Sequence, residues 1–138
     1  MDSLLKKLNY KSGMQIWVSA QPTEFEPVLS QWQEAEYVAA GLSDADFFII
    51  FVQSEAGIAT GLETVLSQVQ QDQVLWFAYP KGTSKRYKAS INRDSGWTML
   101  GTHGFEPVRQ VAIDEDWSAL RFRKLEYIKQ MNRKKRLG

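Results

Sequence analysis

Cationic and hydroxyl side chains cluster directly after an apolar run in the middle of the chain. The segment VLWFAYP (74–80) is followed by KGTSKRYK, which contains four cations, a glycine and hydroxyl groups. Ammonium, guanidinium and hydroxyl groups are hydrogen-bond donors that suit a phosphate or another small anion. We therefore predict an anion-binding loop whose donors are Lys81, Ser84, Lys85 and Arg86. The spacing differs from that of a Walker loop, and a solvated basic connection is the alternative interpretation.

Two other apolar runs end in polar side chains. Gln21 follows MQIWVSA (14–20), and the run ADFFIIFVQS (45–54) ends in Ser54, with Glu55 next. In an open parallel sheet the carboxyl ends of the strands share one edge, and ligands bind in the crevice beyond it. The sequence therefore predicts a ligand-binding or anion-binding site that joins Gln21, Ser54 and Glu55 to the basic loop.

The remaining residues restrict the chemistry. The chain has no cysteine and one histidine, His103, which excludes disulfides, cysteine nucleophiles and zinc–thiolate sites. The acids of the segment Asp114–Glu115–Asp116 supply fewer oxygens than the roughly six that a calcium site needs. We predict no metal site, and the catalytic residues stay unknown. Glu55 and His103 are the side chains best suited to proton transfer if the protein is an enzyme.

The elements that would position these residues alternate along the first eighty residues. The pattern predicts strands over 14–20, 45–54 and 72–80, separated by helices over 24–40 and 57–70. Thr23 and Glu26 form a capping-box pattern at the start of the first of these helices, and Gly41 is placed to end it. Right-handed crossovers make such strands parallel, with the helices packed on the sheet.

The second part of the chain is less regular. A short helix is predicted over 94–100, capped by Asn92 or Asp94. It is followed by two β-like runs, FEPVRQVAID (105–114) and WSALRFRK (117–124), joined by an acidic turn. The predicted fold is an α/β, Rossmann-like three-layer sandwich of three parallel strands with crossover helices and a C-terminal antiparallel β-hairpin. It forms a single domain over 1–138, with a basic tail over about 125–138.

Three motifs carry a first resemblance. LLKKLNYKSGMQIWVSAQP, LWFAYPKG and AIDEDWSALRFRK resemble a family of small, mostly bacterial proteins that is classed as a domain of unknown function. The resemblance covers nearly the whole chain. It implies a bacterial protein, and that family brings no established activity with it.

The order of elements carries a second resemblance. The succession of DFFIIF, a helix, VLWFAYP, a short helix, GFEP and a closing antiparallel pair is similar to class I methyltransferases that lack internal elements. This resemblance implies S-adenosylmethionine as a cofactor. The cofactor loop of those enzymes is glycine-rich because the backbone must approach the ligand closely, whereas the corresponding segment here is SAQPTEF. We therefore expect no S-adenosylmethionine binding in the usual mode, and the cofactor stays unknown.

Charge divides the chain into unlike halves. Residues 1–80 carry three lysines against ten carboxylates, a net charge of −7, and residues 81–138 carry a net charge of +8. The segment KQMNRKKRLG (129–138) could attract nucleic acid, although a short terminal charge run is more often a solvated end. The sequence has neither an apolar leader nor a stretch of about 18 apolar residues that could span a bilayer. A cytoplasmic location is expected.

Three functions are compatible with these residues. The leading hypothesis is a small cytoplasmic binding or accessory module, not an enzyme, with an anionic small-molecule ligand at the basic loop. The first alternative is a degraded or minimal methyltransferase-like enzyme that binds a nucleotide-like ligand. The second is a nucleic-acid-associated protein that uses the basic half. No membrane partner is expected, and an exposed edge strand could pair two copies of the chain.

Overall fold

A computed structural model describes residues 2–128, which form a five-stranded mixed sheet with helices on both faces. The strands are β1 (Ile16–Ser19), β2 (Phe47–Phe51), β3 (Val74–Pro80), β4 (Phe105–Ala112) and β5 (Trp117–Lys124). The helices are α1 (Ser3–Lys7), α2 (Glu26–Glu34), α3 (Glu55–Val65) and α4 (Thr98–Thr102), with 3₁₀ turns at Thr23–Phe25 and Leu42–Asp44. The predicted α/β class is confirmed.

The strands lie in the order β1-β2-β3-β5-β4. The first three are parallel, with Phe47 of β2 opposite Ile16 on one side and Val74 on the other. Strand β5 runs antiparallel between β3 and β4 and places Ser118 opposite Tyr79. The carboxyl ends of β1, β2 and β3 therefore meet the amino end of β5 and the carboxyl end of β4 at one edge, which we call the strand-end edge.

Every residue of β2 and β3 is buried, which shows that both faces of the sheet are covered. Successive side chains alternate between two apolar clusters. The α3 face contains Phe48, Ile50, Leu75, Phe77, Tyr79, Leu120 and Phe122 beneath α3 and α4. The α2 face contains Phe47, Ile49, Phe51, Trp76, Ala78, Trp117 and Ala119 beneath α1 and α2.

The predicted extent of the first long helix is wrong at its C-terminal end. Helix α2 ends at Glu34 instead of residue 40, because Glu36 adopts a left-handed backbone conformation with φ of 62°. The Glu36 N–H donates to the Gln33 carbonyl at 3.0 Å, and the Tyr37 N–H donates to the Trp32 carbonyl at 2.9 Å. These two bonds are those of a Schellman termination. Glu36 therefore ends the helix, which is the role that was predicted for Gly41.

The later helices also differ from their predicted bounds. Helix α3 begins two residues early, because Ser54 caps it by accepting a hydrogen bond from the Gly57 N–H at 3.1 Å, and it ends at Val65 instead of residue 70. Helix α4 begins at Thr98 instead of residue 94. The side chain of Asn92 instead accepts from the Asp94 N–H at 2.9 Å, which builds a turn before the helix.

The predicted basic tail falls mostly outside the described residues. Residues 125–128 are helical, and 129–138 lie outside the part of the chain that the structure describes. Within residues 2–128, no helix has the length and apolar character needed to cross a bilayer.

Candidate functional site

The residues predicted to form the site follow β1, β2 and β3 at the strand-end edge, but their side chains make separate contacts. Gln21 donates from Nε2 to Glu26 Oε1 at 3.4 Å, and Ser54 caps α3. Glu55 lines a cavity of about 350 Å³ with residues that precede or belong to α4. Among residues 2–128, no hydrogen bond or ion pair joins Ser54 or Glu55 to the basic loop.

The basic loop, residues 81–88, is fastened to the 3₁₀ turn that follows β1. The carboxylate of Glu24 accepts hydrogen bonds from the Tyr87 hydroxyl and, at 3.2 Å, from the indole Nε1 of Trp117. The guanidinium of Arg86 lies 3.5 Å from the same carboxylate. Burial alone would raise the pKa of Glu24, but these donors and the Arg86 charge outweigh it and lower the pKa. The hydrogen bond to Glu24 raises the pKa of Tyr87.

Ser84 shapes the basic loop from within. Its hydroxyl donates to Asp116 Oδ1 at 2.8 Å and accepts from the backbone N–H groups of Arg86 and Tyr87. The backbone N–H of Lys81 also donates to the Asp116 carbonyl at 2.8 Å. Ser84 and Arg86 therefore have structural partners, whereas the ammonium groups of Lys81 and Lys85 have none among residues 2–128.

Aromatic rings fill the α2 face of the strand-end edge. The rings of Phe25 and Phe51 have centroids 4.9 Å apart, Phe51 and Trp117 are 5.1 Å apart, and Trp117 and Tyr87 are 5.0 Å apart. Edge-to-face and tilted pairs at these distances pack favourably. Because this chain of rings runs from the first loop to the basic loop, the space that remains open near Lys81 lies on the α3 face.

The loop after β1 does not fit an S-adenosylmethionine cofactor bound in the usual methyltransferase mode. Its segment 19–25 has no glycine, and its one left-handed residue is Ala20, with φ of 59°. Phe25 is buried against Trp32 instead of leaving room beside the backbone. Glu24 already forms a hydrogen bond with Tyr87 and an ion pair with Arg86 of the basic loop.

A pocket of about 370 Å³ opens on the α3 face at the carboxyl end of β3. We call it the Tyr79 pocket. Its lining comes from β3 and the basic loop, the turn before α4, and the hairpin: Tyr79, Lys81, Gly82, Thr83, Asn92, Arg93, Gln110 and Ser118.

Two buried hydroxyl groups lie in the lining of the Tyr79 pocket. Tyr79 and Ser118 are 3% and 6% exposed, and Gln110 donates from Nε2 to the Tyr79 hydroxyl at 2.8 Å. Burial raises the pKa of Tyr79, although the charge of Arg93 and hydrogen bonds with Gln110 and Ser118 act in the opposite direction. The phenol is therefore neutral at pH 7 and available for hydrogen bonding.

The turn that carries Asn92 and Arg93 is held in place from the core side. The indole Nε1 of Trp97 donates to the Asn92 carbonyl at 2.7 Å, and the Trp97 ring packs on Tyr79 with centroids 5.7 Å apart. Gly96 completes the turn with φ of 105°, and a Cβ there would lie 2.3 Å from Ile91 Cγ2. The position of the Arg93 turn is thus coupled to the aromatic ring beside the pocket.

The charged and polar side chains in the Tyr79 pocket are complementary to an anion. Lys81 and Arg93 are cationic, and Thr83, Asn92 and Ser118 supply further donors. No carboxylate belongs to this lining among the described residues. A phosphate or carboxylate would therefore meet two positive charges and several donors, and hydrogen bonds between charged groups are the stronger class.

Sequence reasoning identified the end of the third strand and the basic loop, which supply Tyr79, Lys81, Gly82 and Thr83. It missed the other four residues of the pocket, namely Asn92, Arg93, Gln110 and Ser118. Gln110 and Ser118 join Tyr79 because β5 lies between β3 and β4, an order of strands that the sequence does not reveal. The available signal was the polar residue Tyr79 at the end of the otherwise apolar β3, together with Ser118 among the apolar residues that begin β5.

His103, the other candidate for proton transfer, ends α4 and is exposed. Within residues 2–128 its side chain makes no hydrogen bond or ion pair with a carboxylate. Its backbone N–H instead bonds to the carbonyls of Met99 and Leu100. The described residues also bring together no group of three or more acidic or histidine side chains that could hold a metal ion.

Comparisons with known proteins identify structural neighbours only. No family model matches the chain, and no curated protein matches it. The fold is similar to a protein of the NADB-Rossmann superfamily from Streptococcus agalactiae, at 14% identity and a TM-score of 0.48 over 90% of this chain and 68% of that chain. Similarity at this level assigns neither a family nor a reaction.

Two methyltransferases are also similar in structure. The M1A22 tRNA methyltransferase TrmK of B. subtilis has 15% identity and a TM-score of 0.46, over 79% of this chain and 49% of that chain. The N-methyltransferase NodS from Bradyrhizobium japonicum has 16% identity and a TM-score of 0.46, over 79% and 72%. The present chain therefore matches about half the length of TrmK.

Proposed function

We propose that this protein is a binding module for a small oxyanion and that the anion occupies the Tyr79 pocket. The observation that carries the proposal is that Lys81 and Arg93 line one pocket together with the buried residues Tyr79 and Ser118, with no carboxylate in the described lining. The Tyr79 hydroxyl accepts a hydrogen bond from Gln110, which leaves its own proton available to donate to an anion. An oxyanion would supply acceptors for all of these donors.

The basic loop has a supporting role in this proposal. Lys81 belongs both to the loop and to the pocket, so it contacts the anion directly. Lys85 is exposed and Arg86 is partly neutralised by Glu24, so both act on the anion only at long range, through an attraction that salt screens. Ser84 stabilises the conformation of the loop through the hydrogen bonds of its hydroxyl group. Gln21, Ser54 and Glu55 lie outside the lining of the Tyr79 pocket.

The test is a titration with phosphate at constant ionic strength. Isothermal titration calorimetry should give a dissociation constant on the order of 0.1–1 mM for the wild-type protein, as a few charge-assisted hydrogen bonds to a small ion permit. Arg93→Gln and Lys81→Gln should each weaken binding about tenfold. Lys85→Gln serves as the matched control and should change the affinity less than about twofold. Equal losses in all three variants, or no binding by the wild type, would refute the proposal.

The second candidate is a Rossmann-like, methyltransferase-type enzyme that binds a nucleotide-like ligand. The feature that favours it is the run of three parallel strands closed by an antiparallel hairpin. The absence of glycine in segment 19–25 weighs against it. A thermal-shift panel of S-adenosylmethionine, S-adenosylhomocysteine and adenosine nucleotides separates the two candidates, because only the enzyme should respond to the adenosine compounds more strongly than to phosphate.

A further inference from the structure

We infer that the C-terminal hairpin binds the phosphodiester backbone of a nucleic acid strand through two opposed arginines, Arg109 of β4 and Arg121 of β5. This surface is separate from the Tyr79 pocket and does not depend on it. The two arginines lie on the α2 face of the hairpin, whereas the pocket opens on the α3 face.

The two arginines lie opposite each other in the register of β4 and β5. Arg109 is two residues from Val111, and Arg121 is two residues from Ala119, and both of these apolar residues belong to the α2 face. Side chains alternate along a strand, so both arginines point to that face. Like charges directly opposite each other destabilise a sheet. Burial lowers the pKa of Arg121, and the charges of Arg123 and Arg109 lower it further.

The half-buried guanidinium of Arg121 has no counter-ion among residues 2–128. One terminal nitrogen donates to Asn9 Oδ1, a neutral acceptor, at 3.1 Å, and the Nε atom is buried without a hydrogen-bond partner. Within the same part of the chain, Arg109 also forms no ion pair. The neighbouring Arg123, by contrast, donates to both carboxylate oxygens of Asp72, at 3.0 and 2.6 Å. A partly buried charge is costly unless a partner supplies the opposite charge.

Lys7 adds a third cation to this surface. Helix α1 packs on the α2 face through Leu5, and the Lys7 Nζ at its C-terminal end donates to the Ala112 carbonyl at 2.8 Å. Ala112 is three residues beyond Arg109, about 10 Å along an antiparallel strand. The ammonium group is exposed and retains two further N–H donors. We call Arg109, Arg121 and Lys7 the hairpin cations.

The surroundings of the hairpin cations favour a polyanion over a protein partner. A stable protein–protein interface buries an apolar centre, and the large apolar side chains exposed among the described residues are Val108 and Leu125. Two such residues are too few to form that centre. A nucleic acid needs no apolar surface, because the release of counterions from its phosphates drives binding.

The geometry of the hairpin cations also suits a phosphodiester backbone. A guanidinium group can donate to two phosphate oxygens at once. Each strand carries one phosphate per about 3.4 Å of helix axis, so cations about 10 Å apart can contact the same strand. Contacts to phosphate carry no sequence information. We therefore expect binding that is salt-dependent and independent of sequence.

Fluorescence anisotropy with a labelled single-stranded RNA of about 20 nucleotides tests the inference. The wild-type protein should bind with a dissociation constant on the order of 10–100 μM in about 50 mM salt. Arg109→Met and Arg121→Met should each weaken binding about fivefold. Each should also reduce the slope of log K against log salt concentration by about 0.7, the value for one phosphate of a single strand.

Lys85→Met is the matched control, because it removes the same charge from the basic loop at the strand-end edge and should change the affinity less than about twofold. The cations of residues 129–138 are the same in every variant, so differences between variants report on the hairpin. Arg121→Met removes an uncompensated charge and should preserve or raise stability. Urea unfolding verifies this, and the exposed Arg109 provides a second variant if it does not.

Four outcomes would overturn the inference. They are the absence of RNA binding, binding that persists unchanged in both arginine variants, an equal loss in Lys85→Met, and equal binding of a polyglutamate peptide of the same charge, which would indicate an acidic protein partner instead. The Tyr79 pocket is tested separately, because Arg93→Gln should weaken phosphate binding and leave the RNA affinity unchanged. Phosphate binding and RNA binding can therefore fail independently.

Discussion

The carboxylate of Glu24 accepts a hydrogen bond from the indole Nε1 of Trp117 at 3.2 Å, between residues 93 positions apart in the chain. The same carboxylate accepts from the hydroxyl of Tyr87. One acidic side chain thus joins the loop after β1, the loop after β3 and the first residue of β5. This junction closes the α2 face of the strand-end edge and leaves the Tyr79 pocket open on the other face.

We expect Glu24→Gln to destabilise the protein by about 1 kcal/mol at neutral pH. Glutamine retains an acceptor for Trp117 and Tyr87, but neutral hydrogen bonds are weaker than those to a carboxylate, and the Arg86 ion pair is lost. Urea unfolding measures the change. Glu26→Gln is the matched control, because Glu26 is exposed and accepts only a 3.4 Å bond from Gln21. Equal effects of the two substitutions would contradict the role of Glu24.

The same residue predicts a dependence on pH. The pKa of Glu24 is lowered in the folded protein, so its contribution to stability is complete above the ordinary glutamate pKa of about 4.3 and is lost as the pH falls through the lower folded value. The difference in unfolding free energy between wild type and Glu24→Gln should therefore shrink between pH 5 and about pH 3. A difference that stays constant over this range would show that the charge of Glu24 is unimportant.

Tyr79→Phe should weaken phosphate binding by about five- to tenfold, because it removes one buried hydroxyl from the pocket. The fold should tolerate the change, since Gln110 is exposed and Ser118 lines the open pocket, so both can bond to water instead. Tyr10→Phe provides the comparison, as the Tyr10 hydroxyl donates to the Met14 carbonyl away from the pocket. Calorimetry should detect a loss of affinity only in the first variant.

Gly61→Ala should destabilise the protein, because a Cβ at this position would lie 2.6 Å from Ile50 Cγ2, where α3 packs on the sheet. Gly101 is the matched position in α4, since a Cβ there meets nothing within 4 Å. The two alanine variants gain similar helix propensity. The difference between their free energies of unfolding therefore measures overpacking at position 61, which we expect to cost about 1–3 kcal/mol. Similar unfolding free energies for both variants would contradict the close approach of α3.

Arg121→Met should stabilise the protein by about 1 kcal/mol. Burial lowers the pKa of Arg121, and the charges of Arg123 and Arg109 lower it further. Its Nε is buried without a hydrogen-bond partner among residues 2–128. An apolar side chain of similar length removes the desolvation and repulsion costs. Urea unfolding at low salt should show the gain, and added salt should reduce it by screening. A loss of stability would show that the bond to Asn9 dominates.

The apolar runs of the sequence predicted the three parallel strands to within a few residues, because buried strands require continuous apolar side chains. Helix ends were predicted less well. Glu36 adopts the left-handed conformation that usually indicates glycine, and Asn92 builds a turn instead of a cap. Local composition does not reveal either choice, since a glutamate seldom adopts the left-handed conformation and an asparagine side chain can either cap a helix or build a turn.

The sequence placed the candidate site at the strand-end edge, and the Tyr79 pocket that we propose lies at the same edge but has a different set of residues. Arg86 looked available in the sequence, and the structure pairs it with Glu24, which is 62 positions earlier. Arg93 and Ser118 looked unrelated, and the placement of β5 beside β3 brings both to the lining of the Tyr79 pocket. Charge clusters are visible in a sequence, whereas their neutralisation depends on tertiary contacts.

The most direct test of the anion site is a crystal structure of the wild-type protein grown with phosphate. We predict phosphate density in the Tyr79 pocket, within hydrogen-bond distance of Ser118 and Arg93. A phosphate bound at Lys85 or at Ser54, or an empty Tyr79 pocket at a concentration that saturates the protein in solution, would contradict the account.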